Sequence, residues 1–557
     1  MFRVKAYVLG AVLLLTPAGP ADAQTARPIT PAGLEATVRT LASDAFEGRG
    51  PGTAGEARTI DYLIARFKAL GLEPGGPDGS WTQPVPLVRT QIGTGGTLTA
   101  TPGGRAMPLA MGRDIHVTTV RPVDRVTIAD APMVFVGYGV DAPERGWDDF
   151  KGVDLKGKVA VFLVNDPDFE AGTDEPVFGK FGGRRMTYYG RWTYKFEEAA
   201  RRGAVAALIV HDTPGAGYGW DTVTAGGGGN YDIVRADPDE RVLLQGWLSG
   251  EASERLFKAA GLDLAGLRAR ARRADFRPVE LGGARFAADL PVTHSTLQSR
   301  NFLAKLPGSK RPDEVVMFGA HWDAYGIGAP DADGRTVRPG ANDDALGVAG
   351  LIALADGFAH DQRPERSLVF AIWTAEERGL LGSETYAANP LYPFNETVAN
   401  FTLDILQTAG PSRDVLLVGQ GQNELEADLA AAAKKQGRAV TPEALPERGL
   451  FYRADHFPLA RHGVPTLLLM AISGAPDLVN GGRGAGEAWL KGYMACYHQT
   501  CDQWTPEWDL RGAAQDVALI RDIAGGLANS TRWPQWSRGS EFRAVREKSR
   551  PVATVVR

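Results

Sequence analysis

Residues 368–383 read LVFAIWTAEERGLLGS: an apolar run from Leu368 to Trp373, then two adjacent acids, Glu376 and Glu377. A short continuous apolar run closed by polar residues predicts a strand buried on both faces, the kind found in mostly parallel sheets. Two neighbouring acids inside a strand would face opposite ways, but past its end, where the chain turns, both reach one cleft. One carboxylate is then placed to hold a metal ion while the other takes a proton from water.

Working outward, the same arrangement recurs. Val315 to Ala320 predicts a strand ending at His321-Trp322-Asp323, and Phe401 to Leu403 a short strand ending at Asp404. Asp343 sits in a glycine-bounded loop, 340–347, that opens the helix Gly347 to Phe358. Glu424 to Lys435 predicts another helix, Thr466 to Met470 a last buried strand, and His498 follows Tyr497 near the end. Strands alternating with helices predict an α/β fold, a mostly parallel mixed sheet sandwiched by helices. The candidates follow strand carboxyl ends, where such sheets open their ligand crevices. Imidazole nitrogen and carboxylate oxygen are zinc ligands, and a catalytic site keeps one position for water. Taken singly, Asp343 and Asp344 read equally as helix caps, and His321 as a hydrogen-bonded strand-end histidine. Their order along the chain favours a metal centre.

The chain has 557 residues, 44% of them hydrophobic and 23% charged, with a formal net charge of -5. That length suggests two to four domains, and the balance gives no global attraction to nucleic acid. Arg3 and Lys5 precede the apolar stretch Ala6 to Leu15, and Ala21-Asp22-Ala23 offers a small-x-small cleavage site. Residues 1–23 therefore read as a signal peptide cut after Ala23, which predicts a periplasmic or secreted protein. The apolar stretch is too short to span a membrane, and no other segment has spanning character. Cys496 and Cys501, the only cysteines, flank His498. In an oxidising compartment a local disulfide is expected, with thiolate metal ligation as the alternative.

Pro31 to Ser43 and Thr53 to Leu70 predict helices, and the glycine-rich 46–52 between them reads equally as a plain connection. Short strands and turns from about 130 to 287 predict a separate, smaller α+β module inserted into a catalytic domain made of 24–129 and 288–537. Residues 538–557 are basic, lack periodicity and read as a loosely attached tail.

In this set the chain resembles the M28 family of zinc peptidases, the aminopeptidase Y or clan MH type. The matching stretches are Gly319-Ala320-His321-Trp322-Asp323, Gly340-Ala341-Asn342-Asp343, residues 374–383, Leu403-Asp404, Asp455-His456-Phe457-Pro458, His462-Gly463-Val464-Pro465 and Tyr497-His498. Many relatives carry Asn where this chain has Thr402. The resemblance implies a zinc-exopeptidase fold of the phosphorylase/hydrolase-like kind and two zinc ions per chain. Asp343 would bridge them, with His321 and Asp404 completing one site and Glu377 and His498 the other. Glu376 would be the general base, and Asp323 would orient His321. Asp502 would support the His498 region. Residues 130–287 resemble a protease-associated domain, through Phe135-Val136-Gly137-Tyr138-Gly139 and Asp154-Leu155-Lys156-Gly157-Lys158-Val159. Tyr497 and Tyr452 are candidate donors to an oxyanion, and Arg453 a candidate partner for a terminal carboxylate.

The expected function is removal of N-terminal residues from peptides. Alternatives on the same scaffold are a carboxypeptidase, a glutaminyl cyclase and a receptor-like protein without catalysis. Substrate walls are expected from loops such as Gly481 to Gly492 and from the inserted module.

Overall fold

The computed structural model describes residues 27–550 except Gly226. The signal-peptide reading of 1–23 and the last residues of the predicted tail lie outside this range. Five strands form the catalytic half of the main sheet: β1 (Val279–Leu306), β2 (Arg311–His321), β3 (Arg366–Trp373), β4 (Thr397–Leu403) and β5 (Thr466–Leu469). Their order is β5-β4-β2-β3-β1, parallel except for the β3–β1 pair. Every residue of β3, β4 and β5 is buried. Helices cover the sheet, as the alternating pattern requires: α1 (Leu346–His360) packs against Pro31–Leu41 and Arg511–Ala528, and Ala54–Ala69 adds Leu63 and Phe67 to the same core. Among the described residues no helix is long and apolar enough to cross a membrane.

β1 runs 28 residues and joins two units. Its last residues pair with β3, its middle with Thr82–Ile92, and its first part with Arg125–Phe135 and Thr97–Ala100. The second sheet continues from Arg125–Phe135 through Val159–Leu163, Ala206–Val210 and Leu244–Leu248 to Ile115–Thr118. Its core takes in Leu98, Ala100, Ile115 and Val117 as well as Phe135, Val161 and Leu208. The module's packing thus begins more than thirty residues before 130, because short polar-flanked strands such as 97–100 are unreadable without their partner strand.

The tail also differs from its reading. Arg543–Ser549 is a helix, Phe542 is buried, and the buried Arg546 donates to the carbonyls of Phe394 and Thr397 at 2.8 and 3.1 Å. A guanidinium that satisfies carbonyls of a distant segment looks, in sequence, like one more surface charge.

Candidate metal centre

The predicted residues converge where β2, β3 and β4 end. His321 is the last residue of β2, Asp404 follows β4, and Glu376 and Glu377 lie in a single turn after β3. Two groups of three have donor atoms within 4.8 Å of one another: His321, Asp343 and Asp404, and Asp343, Glu377 and His498. Asp343 belongs to both. Its Oδ1 lies 3.1 Å from His321 Nε2 and its Oδ2 3.2 Å from His498 Nε2, while Glu377 Oε2 stands 3.2 Å from the same His498 nitrogen. Glu376 is in neither group, and its carboxylate is 3.9 Å from His321 Nε2.

The loops are tied by groups that carry no ligand atom. Asp344 accepts from the backbone of His321 at 3.2 Å and Gly347 at 2.9 Å, so one carboxylate caps α1 and holds the end of β2. Asp502 accepts from the N–H groups of Asn342 and Asp343, both at 3.1 Å. It therefore supports the Asp343 loop and not His498, whose Nδ1 instead meets the Tyr325 hydroxyl at 3.0 Å. Asp323 departs from its expected role in a similar way. His321 Nδ1 points at the Asp323 carbonyl, 3.0 Å away, while the Asp323 carboxylate is 3.6 Å off and accepts the Glu376 N–H at 3.0 Å. It orients the turn that carries Glu376 at least as much as the imidazole.

Arg49 is the residue that sequence reasoning missed most. Fully buried, it donates to the carbonyls of Trp322 (2.7 Å), Leu41 (2.9 Å), Pro339 (2.6 Å) and Gly340 (2.8 Å). It thereby clamps the segments that follow His321 and precede Asp343. The 46–52 loop is consequently no plain connection: a Cβ on Gly48, at φ +64°, would come within 2.5 Å of the Arg338 carbonyl. Arg49→Lys keeps the charge but not the planar fork, and leaves carbonyls unpaired in the interior. We expect it to lower stability by about 2–4 kcal/mol, measured as the urea midpoint. Tyr325→Phe removes the partner of His498 Nδ1 and is expected to weaken metal binding about 10–100-fold, read by competition with a chromogenic chelator.

Cys496 and Cys501 are joined by a disulfide that closes the turn holding His498. His498 itself adopts φ +64°, and Ala375 and Ile405, beside Glu376 and Asp404, adopt +51° and +59°. Left-handed backbone at non-glycine residues costs on the order of 1–3 kcal/mol each and clusters where geometry is imposed by function.

The electrostatics fit a cation. Burial, then the charge of Asp343, holds Asp404 up at about 7. Burial and neighbouring acids push Glu376 and Glu377 well above the usual carboxylate range. Burial opposes a charged His321, yet Glu376, Asp323, Asp343 and Asp344 together raise it well above an ordinary histidine. Asp404 Oδ1 is buried with no hydrogen-bond partner among the described residues. Acids and imidazoles gathered this densely, with an orphaned oxygen among them, suit divalent metal of the nitrogen-and-oxygen-liking kind.

A cavity of about 360 Å³ opens over Glu376, Glu377 and His498. Trp192, Phe196 and Tyr231, from the 130–287 segment, line it as well. Gly481 to Gly492 does not: Gly482–Cys496 is a helix outside this cavity. Tyr497 lines the cavity, its ring tilted by 30° against that of His498 with 3.6 Å between ring centres. Tyr452 is disqualified as an oxyanion donor, since its hydroxyl is committed to Glu541 at 2.7 Å.

A mixed α/β sheet with two His/carboxylate groups sharing one aspartate defines a class of protein that gathers metal-ligating side chains at its strand ends. Residues 301–520 match the model of peptidase family M28. It is 41% identical over 97 residues to a probable zinc metalloprotease of Pyrenophora tritici-repentis, covering 17% of this chain and 20% of that one. It is 29% identical over 198 residues to aminopeptidase Y of Saccharomyces cerevisiae, 34% of this chain and 32% of the other. These matches span between a fifth and a third of those relatives. Among solved structures it is similar to an aminopeptidase from Aneurinibacillus sp. strain AM-1, with TM-score 0.48 and 20% identity over 91% of this chain and 96% of that one.

Proposed function

We propose that the protein is a zinc-dependent exopeptidase, exported from the cytoplasm, that removes N-terminal residues from peptides. The observation that carries this reading is the shared carboxylate of Asp343 between two donor groups, with Glu376 left free beside them. His321, Asp343 and Asp404 would hold one zinc ion, and Asp343, Glu377 and His498 the other. Bound there, zinc supplies Lewis acidity toward a peptide carbonyl and makes water more acidic.

The chain's own groups do the rest. Glu376 takes a proton from the attacking water and returns it to the departing amine. Burial and neighbouring acids raise its affinity for protons above that of an ordinary carboxylate. Asp323, by accepting the Glu376 N–H, fixes the turn from which the base works. Tyr497, in the cavity wall, is the candidate donor to the oxyanion.

The test is to strip the protein with chelator, restore zinc stepwise, and follow hydrolysis of leucine anilide beside a peptide with a blocked N-terminus. Activity should return on the anilide as about two equivalents bind. Binding of less than one equivalent sinks the metal reading, and cleavage of the blocked peptide alone turns the assignment to carboxypeptidase.

A further inference from the structure

The cavity over the metal centre carries more positive charge than its acids use. Glu197 and Glu384 both pair with Arg461, at 3.2 and 3.0 Å, and Asp232 pairs with Arg241 at 3.0 Å. Arg378 is occupied differently, lying over the rings of Tyr231 and Tyr325 at 5.2 and 4.8 Å. Two guanidinium groups in the wall remain, of which Arg191 has only the more distant Trp192 ring, at 5.9 Å. Neither Arg191, from the inserted module, nor Arg453, from the catalytic half, has a carboxylate or any side-chain hydrogen-bond acceptor among the described residues.

Arg191 is the telling one. It is 8% exposed, with Nε buried and unpartnered, and its stem is wedged against Gly449, where a Cβ would meet Cδ at 3.2 Å. Burial, and then the repulsion of Arg453, lowers it to about 10, so it stays charged at neutral pH. Arg453 feels the charge of Asp404, but no acid stands against Arg191, and a buried cation left so beside a second cation is costly. The cost is relieved when a ligand brings the missing negative charge, and a planar guanidinium matches a carboxylate in particular.

We propose that Arg191 and Arg453 form a carboxylate-binding subsite for short peptide substrates, in the wall of the cavity that Glu376 also lines. The inference rests on the peptidase reading and narrows it. The cavity lies near the lower end of the range for ligand sites, roughly 300–1,000 Å³, and is walled by the inserted module, so a di- or tripeptide fills it. The carboxylate comes either from the peptide's C-terminus or from an acidic side chain next to the scissile bond. Both present the same planar anion.

Zinc-loaded Glu376→Gln protein, which would bind without turnover, serves for calorimetry in chloride-free buffer. One arm compares Leu-Leu with Leu-Leu-amide, the other Leu-Glu-amide with Leu-Gln-amide. The acid should bind at least about fivefold more tightly in one arm, and the arm that shows it names the source. A smaller ratio in both arms overturns the proposal. Arg191→Met should collapse the ratio, and Arg453→Gln, at a half-buried position, serves if the first variant does not fold. A ratio that survives in a folded variant of each also overturns it. Wild-type hydrolysis is scored separately: absence of any cleavage removes the peptidase reading while the binding ratios still stand.

Discussion

Glu376→Gln should reduce turnover by about three orders of magnitude or more while leaving metal content unchanged. Glutamine fills the same space, keeps the N–H that Asp323 accepts at 3.0 Å, and cannot take a proton. General acid–base groups contribute typically 10²- to 10⁴-fold, and this one is asked to act twice, on the water and on the leaving amine. Because Glu376 lies outside both three-residue donor groups, its loss should not reach the metals. Kinetics and metal analysis on one preparation decide the matter. A variant that keeps more than a tenth of wild-type turnover removes Glu376 from the chemistry; one that loses half its metal makes it a ligand.

The division between Glu376 and Glu377 came from the family resemblance alone; the structure puts Glu377 in a donor group and Glu376 in neither. Position at strand ends follows from the apolar runs Val315 to Ala320 and Leu368 to Trp373, which is why the ligand candidates meet in space. What the sequence hides are contacts whose partners lie far along the chain. Arg49 stands 273 residues from Trp322, and Tyr325 stands 173 from His498. An arginine clamping four carbonyls and a tyrosine steadying an imidazole have no periodicity and no local signature. Asp344 and Asp502 were visible as acids, but which backbone each would hold depends on how three loops cross. The module's early start has the same cause: Thr97–Ala100 reads as a strand only once β1 lies beside it. Arg191 and Arg453 extend the point to specificity, since their shared isolation appears only when the two units close around one cavity.

Metal removal should destabilise the protein, and increasingly so as pH rises. In the metal-free state Asp404 and Asp502 are both held near 7, by burial and then by the charge of Asp343. A folded-state value raised above the unfolded one favours the protonated fold. The associated stability is present in full below about 4 and is lost as pH climbs through about 7. For Asp404 alone the swing is on the order of 4 kcal/mol, and Glu376, Glu377 and the raised His321 act in the same direction. Asp343 runs the other way, because hydrogen bonds from both imidazoles outweigh its burial and depress it. Metal ions take the place of these protons, so the gap in melting temperature between zinc-loaded and chelated protein should widen from pH 5.5 to pH 8. A gap that narrows over that range contradicts the assignment of the cluster as a metal site. The same logic separates the ligands. Asp343→Ala cuts both donor groups and should retain almost no zinc after dialysis, whereas Glu377→Gln cuts one and should retain about one equivalent. Asp343→Ala also removes the charge that helps raise Asp404, Asp502 and Glu377, so its own melting temperature should depend less on pH than that of chelated wild type. Two zinc equivalents retained by Asp343→Ala would show that the aspartate between the two histidines bridges nothing.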